Sequence, residues 1–341
     1  MRWIMWLLVL PLVVLSVAAG IGWQKYNSFL DTPVNISEDF VLEVPKGTSF
    51  SAVVAGLAED AVIDQPLFLR LYGRHSGMAG KIRAGEYAVP VGATAKDLVD
   101  LMVNGKSIQY GFTIIEGSTV KELLAQLKQD PVLVQTLEDK DAEQIQQMLA
   151  VKRPSMEGVF MAETYHFERG TTDLELLKRA QKLLNKTLDQ AWAERQKKLP
   201  YKSAYEALIM ASIVEKETAR PDERPEIAGV FVRRLRKGMR LQTDPTVIYG
   251  MGDKYKGNIR RSDLRRPTPY NTYVIPALPP TPIALVGKDA IVAALNPKAG
   301  KSLYFVAKGD GSHKFSNTLV EHNKAVRQYQ LKRRKDYRSS P

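Results

Sequence analysis

Cysteine is absent from the sequence. That excludes thiolate nucleophiles, iron–sulfur clusters and zinc sites with sulfur ligands. It also excludes disulfides, and so leaves the compartment open. Histidine is scarce: His75, His166, His313 and His322 are the whole set, and none forms an H-E-x-x-H pair. A zincin site is therefore not expected, and no metal and no cofactor is assigned. No G-x-x-x-x-G-K-[ST] run supplies a phosphate cradle. Local spacing suggests no Ser–His–Asp set either.

What is present is ordinary for a globular chain: 44% hydrophobic and 25% charged residues. At 341 residues the chain can build two or more domains. Lys plus Arg is 49 and Asp plus Glu is 37, a net charge of +12. That balance suits an anionic partner, whether nucleic acid, anionic lipid or an acidic polymer such as a bacterial cell wall. The basic patches at Arg233-Arg234, Arg260-Arg261, Arg265-Arg266 and Lys332 to Lys335 carry no recognition motif. Nucleic acid is therefore not expected as a partner.

The longest uncharged run is Trp3 to Trp23, WIMWLLVLPLVVLSVAAGIGW. About 20 apolar residues cross a hydrocarbon core of roughly 30 Å. Tryptophan stands at both ends, where aromatic belts form. Ser16-Val17-Ala18 resembles a signal-peptidase site, but the apolar run continues past it, so a retained anchor is the preferred reading. That places the chain in a bacterial inner (plasma) membrane, single pass, with the N-terminus cytoplasmic and the body periplasmic. Residues 24–38 then read as a tether.

A pattern of β-rich run, Gly, Thr or Ser, and amphipathic helix recurs from Phe40, Tyr87 and Phe112. The hydroxyl residue caps the helix and the glycine makes the turn. Such units form either a plain packing unit or a glycan-binding module, and the pattern alone does not decide. A polar segment over 131–156 is a linker, and an amphipathic helix follows from about Asp173 to Lys198. Ser203 to Glu206 forms a capping box that opens the next helix.

That helix, ALIMASIVEKET, is apolar or small on nearly every side from Ala207 to Val214, so it is expected to be buried. Glu215 is the first ionisable residue after the buried turns. Partial loss of hydration there raises a carboxyl pKa, which suits a general acid. The plain alternative is a solvated helix end. Glu217 points roughly 200° away on the helix wheel, so the two carboxyls do not share a site.

ASIVEKET, GVFVRRLRKGMRLQTDPTVIYGMG, PYNTYVIPALPPTPI and LYFVAKGDGSHKFSNTLVEHN together resemble the endolytic murein transglycosylase family, MltG/YceG. The resemblance implies an α+β fold: a single N-terminal transmembrane helix, a small LysM-like α/β module and a larger mixed α+β catalytic domain. The expected domains are an anchor with a short cytoplasmic end (1–23), tether (24–38), LysM-like glycan-binding module (39–106), connecting region (107–155), catalytic domain (156–330) and basic tail (331–341). It implies cleavage of the MurNAc–GlcNAc β-1,4 bond within nascent peptidoglycan strands, leaving 1,6-anhydro-MurNAc ends. It implies Glu215 as the catalytic glutamate, acid first and base second. Two carboxylates serve ordinary glycosidases, whereas here the sugar's own C6 hydroxyl is the nucleophile.

Amides, carboxylates and aromatics are what sugar sites use. On that ground Gln242, Asp244, Tyr249, Asn271, Tyr273 and Tyr165 are candidate substrate-binding residues. Each also reads as a turn or core residue. The partners expected are peptidoglycan glycan strands and the membrane through residues 3–23, and the reading also allows peptidoglycan synthases. The alternative function is a non-catalytic peptidoglycan-binding scaffold for those synthases. The sequence departs from the family pattern at Ala162-Glu163, where Pro-Asp is common, and at Ala277 and Thr281, where glycines are.

Overall fold

The computed structural model describes residues 2–331, with side chains for residues 11–330. It is a mixed α+β structure of many helices with three two-stranded sheets among the described residues. Two units divide the chain: residues 1–110 with 166–171, and residues 111–165 with 172–341. Of the basic tail, residues 332–341 lie outside the described residues.

The expected membrane anchor is corrected. Among the described residues no helix is long and apolar enough to cross a membrane. The first helix, α1 (Arg2–Asp31), continues past Trp23 through Gln24, Lys25 and Tyr26. The side chains of residues 3–10 lie outside those described. With the anchor goes the single-pass inner-membrane location, its cytoplasmic N-terminus and periplasmic body, and the membrane as partner. The far end of α1 is instead part of the first unit: Leu30 is buried in its core, and Tyr26 and Phe29 meet Phe68 edge-on.

In the first unit β1 (Phe40–Val44) pairs antiparallel with β2 (Gly85–Val89), and α2 (Phe50–Glu59) and α3 (Pro66–His75) lie between them in sequence. Helix α4 (Ala95–Asn104) follows in this unit; β3 (Tyr110–Thr113) begins at its boundary, and α5 (Val120–Lys128) belongs to the second unit. The three hydroxyl residues of the repeated pattern are helix caps. Ser49 accepts from Ala52 N–H, and Thr94 and Thr119 form reciprocal capping boxes with Asp97 and Glu122.

The second unit holds α6 (Ala142–Met148), α7 (Asp173–Ala193), α8 (Ala204–Glu217), α9 (Arg224–Arg236), α10 (Asp244–Met251), α11 (Lys288–Leu295), the hairpin of β5 (Tyr304–Ala307) and β6 (His313–Ser316), and α12 (Leu319–Val326). Strand β4 (Thr164–Phe167) pairs with β3. Helix α8 is the centre of this unit. Every residue from Ala207 to Glu215 is buried, against α7, α9, α10 and α11. Its one polar interior residue is satisfied: Ser212 Oγ donates to Ile209 O at 2.7 Å and accepts from Ile283 N–H at 3.0 Å. Thr218 turns extended, at φ −151° and ψ 134°, which ends the helix. Neither Ala277 nor Thr281 is among the residues with positive φ, so the absence of glycine there strains nothing. Glu163 is exposed and accepts from the N–H of Thr164.

Asp173 opens α7 and is 1% exposed. Its carboxylate accepts the N–H groups of Thr136 and Leu137, each at 3.0 Å. Truncation strands both donors, at least one of them buried, at a cost of about 2–4 kcal/mol. The solvent-side cap residue Glu122 contributes about 1 kcal/mol. Urea melts followed by circular dichroism should rank Asp173→Ala as clearly more damaging than Glu122→Ala. An equal or reversed order would show that the buried carboxylate does not hold the 131–137 loop.

Candidate active site

The two glutamates at the end of α8 occupy different surroundings. Glu215 points inward, its side chain 2% exposed. Its Oε1 lies 2.6 Å from Arg224 Nη2, and its Oε2 accepts the N–H of Gly287 at 2.9 Å. The same Arg224 nitrogen reaches Glu116 Oε2 at 2.7 Å. Arg224 is the first residue of α9, and Gly287 is the residue before α11. Glu215 therefore joins the end of its own helix to the beginnings of two others. A side chain at Gly287 would displace the Glu116 carboxylate, since its Cβ would stand 1.8 Å from Glu116 Oε1. Loss of hydration raises the Glu215 pKa, against the Gly287 N–H and the Arg224 charge, and the negative charge of Glu116 adds to the rise. Glu215 does not line the groove of Glu217.

Glu217 points the other way and lines a groove of about 570 Å³. Lys216, Arg234, Gln242, Thr243, Asp244, Tyr273, Tyr304, His313 and His322 also line it. Thr243 Oγ1 donates to Glu217 Oε1. Burial pushes the Glu217 pKa up to about 7, the Thr243 hydrogen bond opposes this, Asp244 pushes further up, and Arg234 pulls down. The groove thus holds a carboxyl that is half protonated near neutrality.

Three of the expected site residues meet in this groove. Asp244 Oδ1 accepts the Tyr273 hydroxyl at 2.7 Å. Gln242 adopts φ +54°, rare for a residue with a side chain, and its Oε1 faces Arg234 Nη1 at 3.4 Å. The others lie elsewhere. Asn271 is 1% exposed and spends its amide on the carbonyls of Asp263 and Arg266, at 3.0 and 2.7 Å. Tyr165 donates to Met161 O at 2.8 Å inside the core. Tyr249 donates to the buried Glu157 at 3.2 Å. Glu217, Thr243 and Arg234 are the groove residues that sequence reasoning passed over. The helix wheel had already separated the two glutamates; what it lacked was Arg224, which comes from the next helix and claims Glu215.

The raised pKa of Glu217 has a stability consequence of definite sign. The folded carboxyl holds its proton up to about 7, against an ordinary value of 4.5. Its contribution is therefore fully present below about pH 4.5 and is lost as pH rises through about 7. Glutamine does not titrate. Glu217→Gln should match wild type near pH 4.5 and exceed it at pH 8, by on the order of 2 kcal/mol once relaxation is allowed for. Denaturant melts across this range check it; a stability gap that does not change with pH would refute the shift.

Comparison with known proteins agrees over nearly the whole chain. A family model described as the YceG-like family matches residues 42–328. An endolytic murein transglycosylase of Bacillus subtilis is 32% identical over 317 residues, covering 87% of this chain and 85% of that protein. An endolytic murein transglycosylase of Streptococcus pneumoniae is 25% identical over 362 residues, covering 93% of this chain and 63% of that longer protein. The crystal structure of a yceG-like protein from Listeria monocytogenes superposes with a TM-score of 0.51 at 28% identity, covering 84% of this chain and 99% of that one. The chain belongs to the YceG-like family.

Proposed function

We propose that this chain is a lytic transglycosylase acting on peptidoglycan, and that Glu217 rather than Glu215 is its acid and base. The names of the curated relatives support the activity. The observation that carries the residue is location: Glu217 lines the groove, whereas Glu215 is sealed behind Arg224 and Gly287. In this reading a glycan strand lies in the groove and protonated Glu217 gives its proton to the glycosidic oxygen of a MurNAc–GlcNAc β-1,4 bond. The C1–O4 bond breaks as positive charge spreads over C1 and the ring oxygen. The C6 hydroxyl of the same sugar closes on C1, and the Glu217 carboxylate takes its proton. The product is a 1,6-anhydro-MurNAc end, and the glutamate is returned protonated.

Thr243 holds the carboxyl in one rotamer, and Arg234 stabilises the anion between the two proton transfers. Gln242, Asp244 and Tyr273 offer the mixture of amide, carboxylate and phenol that meets sugar hydroxyls. The groove's lining is drawn from α8, α9, α10, the β5–β6 hairpin and α12. The β1–α2–α3–β2 arrangement of the first unit supports the LysM-like reading of that segment as a glycan-facing module.

A hydrolytic reading has one observation in its favour: Asp244 is a second carboxylate in the groove. Product mass separates the two, because an anhydro end is lighter than a reducing end by one water.

The test uses purified glycan strands with wild type, Glu217→Gln and Glu215→Gln. Wild type should release anhydro ends. Glu217→Gln should lose about 10³-fold or more in rate while remaining folded. Because the acid form starts the reaction, kcat/KM of wild type should fall as pH rises through about 7. If Glu217→Gln cuts as well as wild type while a well-folded Glu215→Gln does not, the assignment is wrong. If no form cuts, the scaffold alternative replaces it.

A further inference from the structure

Glu223 stands immediately before α9 and makes no side-chain cap to that helix. Both of its oxygens go instead to one residue of β6. Oε1 accepts the backbone N–H of His313 at 2.9 Å, and Oε2 lies 2.6 Å from His313 Nδ1. The two side chains are 11% and 12% exposed. Phe305 meets the imidazole edge-on at 5.4 Å, and Phe315 flanks it at 6.4 Å. The ring is therefore held in position, in orientation and in proton arrangement.

The last point decides its chemistry. An ionised carboxylate only accepts, so the Nδ1 facing it carries the hydrogen. In the neutral ring Nε2 is then a bare acceptor. Nε2 is not among the sealed, unpaired atoms of the described residues. His313 lines the same groove as Glu217. A staple between α9 and β6 would need only the backbone N–H bond. Fixing the tautomer as well matters only if something else reads Nε2.

We propose that the Glu223–His313 dyad is a substrate-binding device that presents Nε2 as a hydrogen-bond acceptor to an O–H or acetamido N–H of the bound glycan. This rests on the saccharide reading of the groove. His313 contacts the strand, and Glu223 is a positioning residue acting through it.

Replacing Glu223 with Gln keeps the size but offers an N–H to Nδ1. The ring proton then moves to Nε2, and the acceptor becomes a donor. His313→Phe keeps the aromatic packing and removes both nitrogens, and His313→Gln serves if the phenylalanine variant does not fold. Binding of peptide-free glycan strands is measured by calorimetry in full-length Glu217→Gln protein, which holds the strand without turnover. Each change should weaken binding about tenfold, the worth of one good hydrogen bond. Combining Glu223→Gln with His313→Phe should be no worse than His313→Phe alone. The ¹⁵N shifts of His313 should report Nδ1–H in the parent and Nε2–H in Glu223→Gln. Unchanged binding in folded His313 variants, additive losses in the double variant, or an Nε2–H ring in the parent would each overturn the proposal. Failure of the parent itself to bind glycan strands would instead overturn the saccharide reading, and the dyad's role with it.

Discussion

The buried pairing of Glu215 with Arg224 is the constraint on which the site depends. It takes two charges out of water, and such a pair is a weak source of net stability. What it supplies is alignment. The carboxylate is held from two directions, by the guanidinium at the beginning of α9 and by the Gly287 N–H at the beginning of α11. The last turn of α8 therefore cannot rotate or slide without leaving one of those groups unpaired in the interior. Glu217 lies two residues on, roughly 200° around the helix. Fixing one side of the turn inward fixes the other toward the groove.

The groove is held from beneath by hydroxyl groups. Thr243 N–H donates to Thr272 Oγ1 at 3.0 Å, and Thr246 Oγ1 lies 2.9 Å from Thr272 Oγ1 and donates to Thr243 O at 2.8 Å. These three residues come from two distant stretches, QTDPT and YNTY. Threonines that alternate with the candidate ligands in these stretches thus knit the two together. Their chain ends at Thr243, whose own hydroxyl reaches Glu217. Gln242, just before it, is held at φ +54°. A left-handed residue with a side chain costs about 1 kcal/mol or more and persists where its surroundings require it. Here it places the Gln242 N–H on Thr272 O at 3.2 Å and its amide beside Arg234.

Local structure was legible in the sequence wherever it was set by neighbours in the chain. The caps at Ser49, Thr94, Thr119 and Ser203 are one-turn signals, and each side chain caps its helix, although the box expected at Ser203 is only half made, since Glu206 accepts from Lys202 N–H instead of the cap residue. The burial of α8 follows from its all-round apolar surface. Side-chain roles set by distant partners were not legible. Asn271 resembles a ligand until its amide is seen to close its own loop onto Asp263 and Arg266. Tyr165 and Tyr249 resemble sugar platforms until their hydroxyls are followed to Met161 and Glu157. The apolar run at the N-terminus was read from its length and its flanking tryptophans, and among the described residues no helix is long and apolar enough to cross a membrane. Glu215 was chosen for its burial, and the burial is there; the proposed reading gives that burial a different consequence, because a carboxyl enclosed by Arg224 and Gly287 is less accessible than one lining the groove.

That distinction bears on how a single carboxyl can do both halves of the proposed reaction. An acid that becomes a base within one turnover must be nearly balanced between its two forms. Desolvation alone would hold the proton too tightly, and a strong ion pair alone would release it too early. The Glu215 pKa is raised to about 7 as well, so the balance itself does not separate the two; what differs is that its arginine contact at 2.6 Å ties it to one arrangement. Glu217 has the milder combination of a threonine hydroxyl and a neighbouring arginine that is itself engaged with the carbonyls of Leu303 and Leu241 at 2.7 Å each. Arg234 cannot swing in to seize the carboxylate without abandoning those carbonyls. It therefore acts as a fixed field rather than a salt-bridge partner, which leaves Glu217 free to give up a proton and take one back.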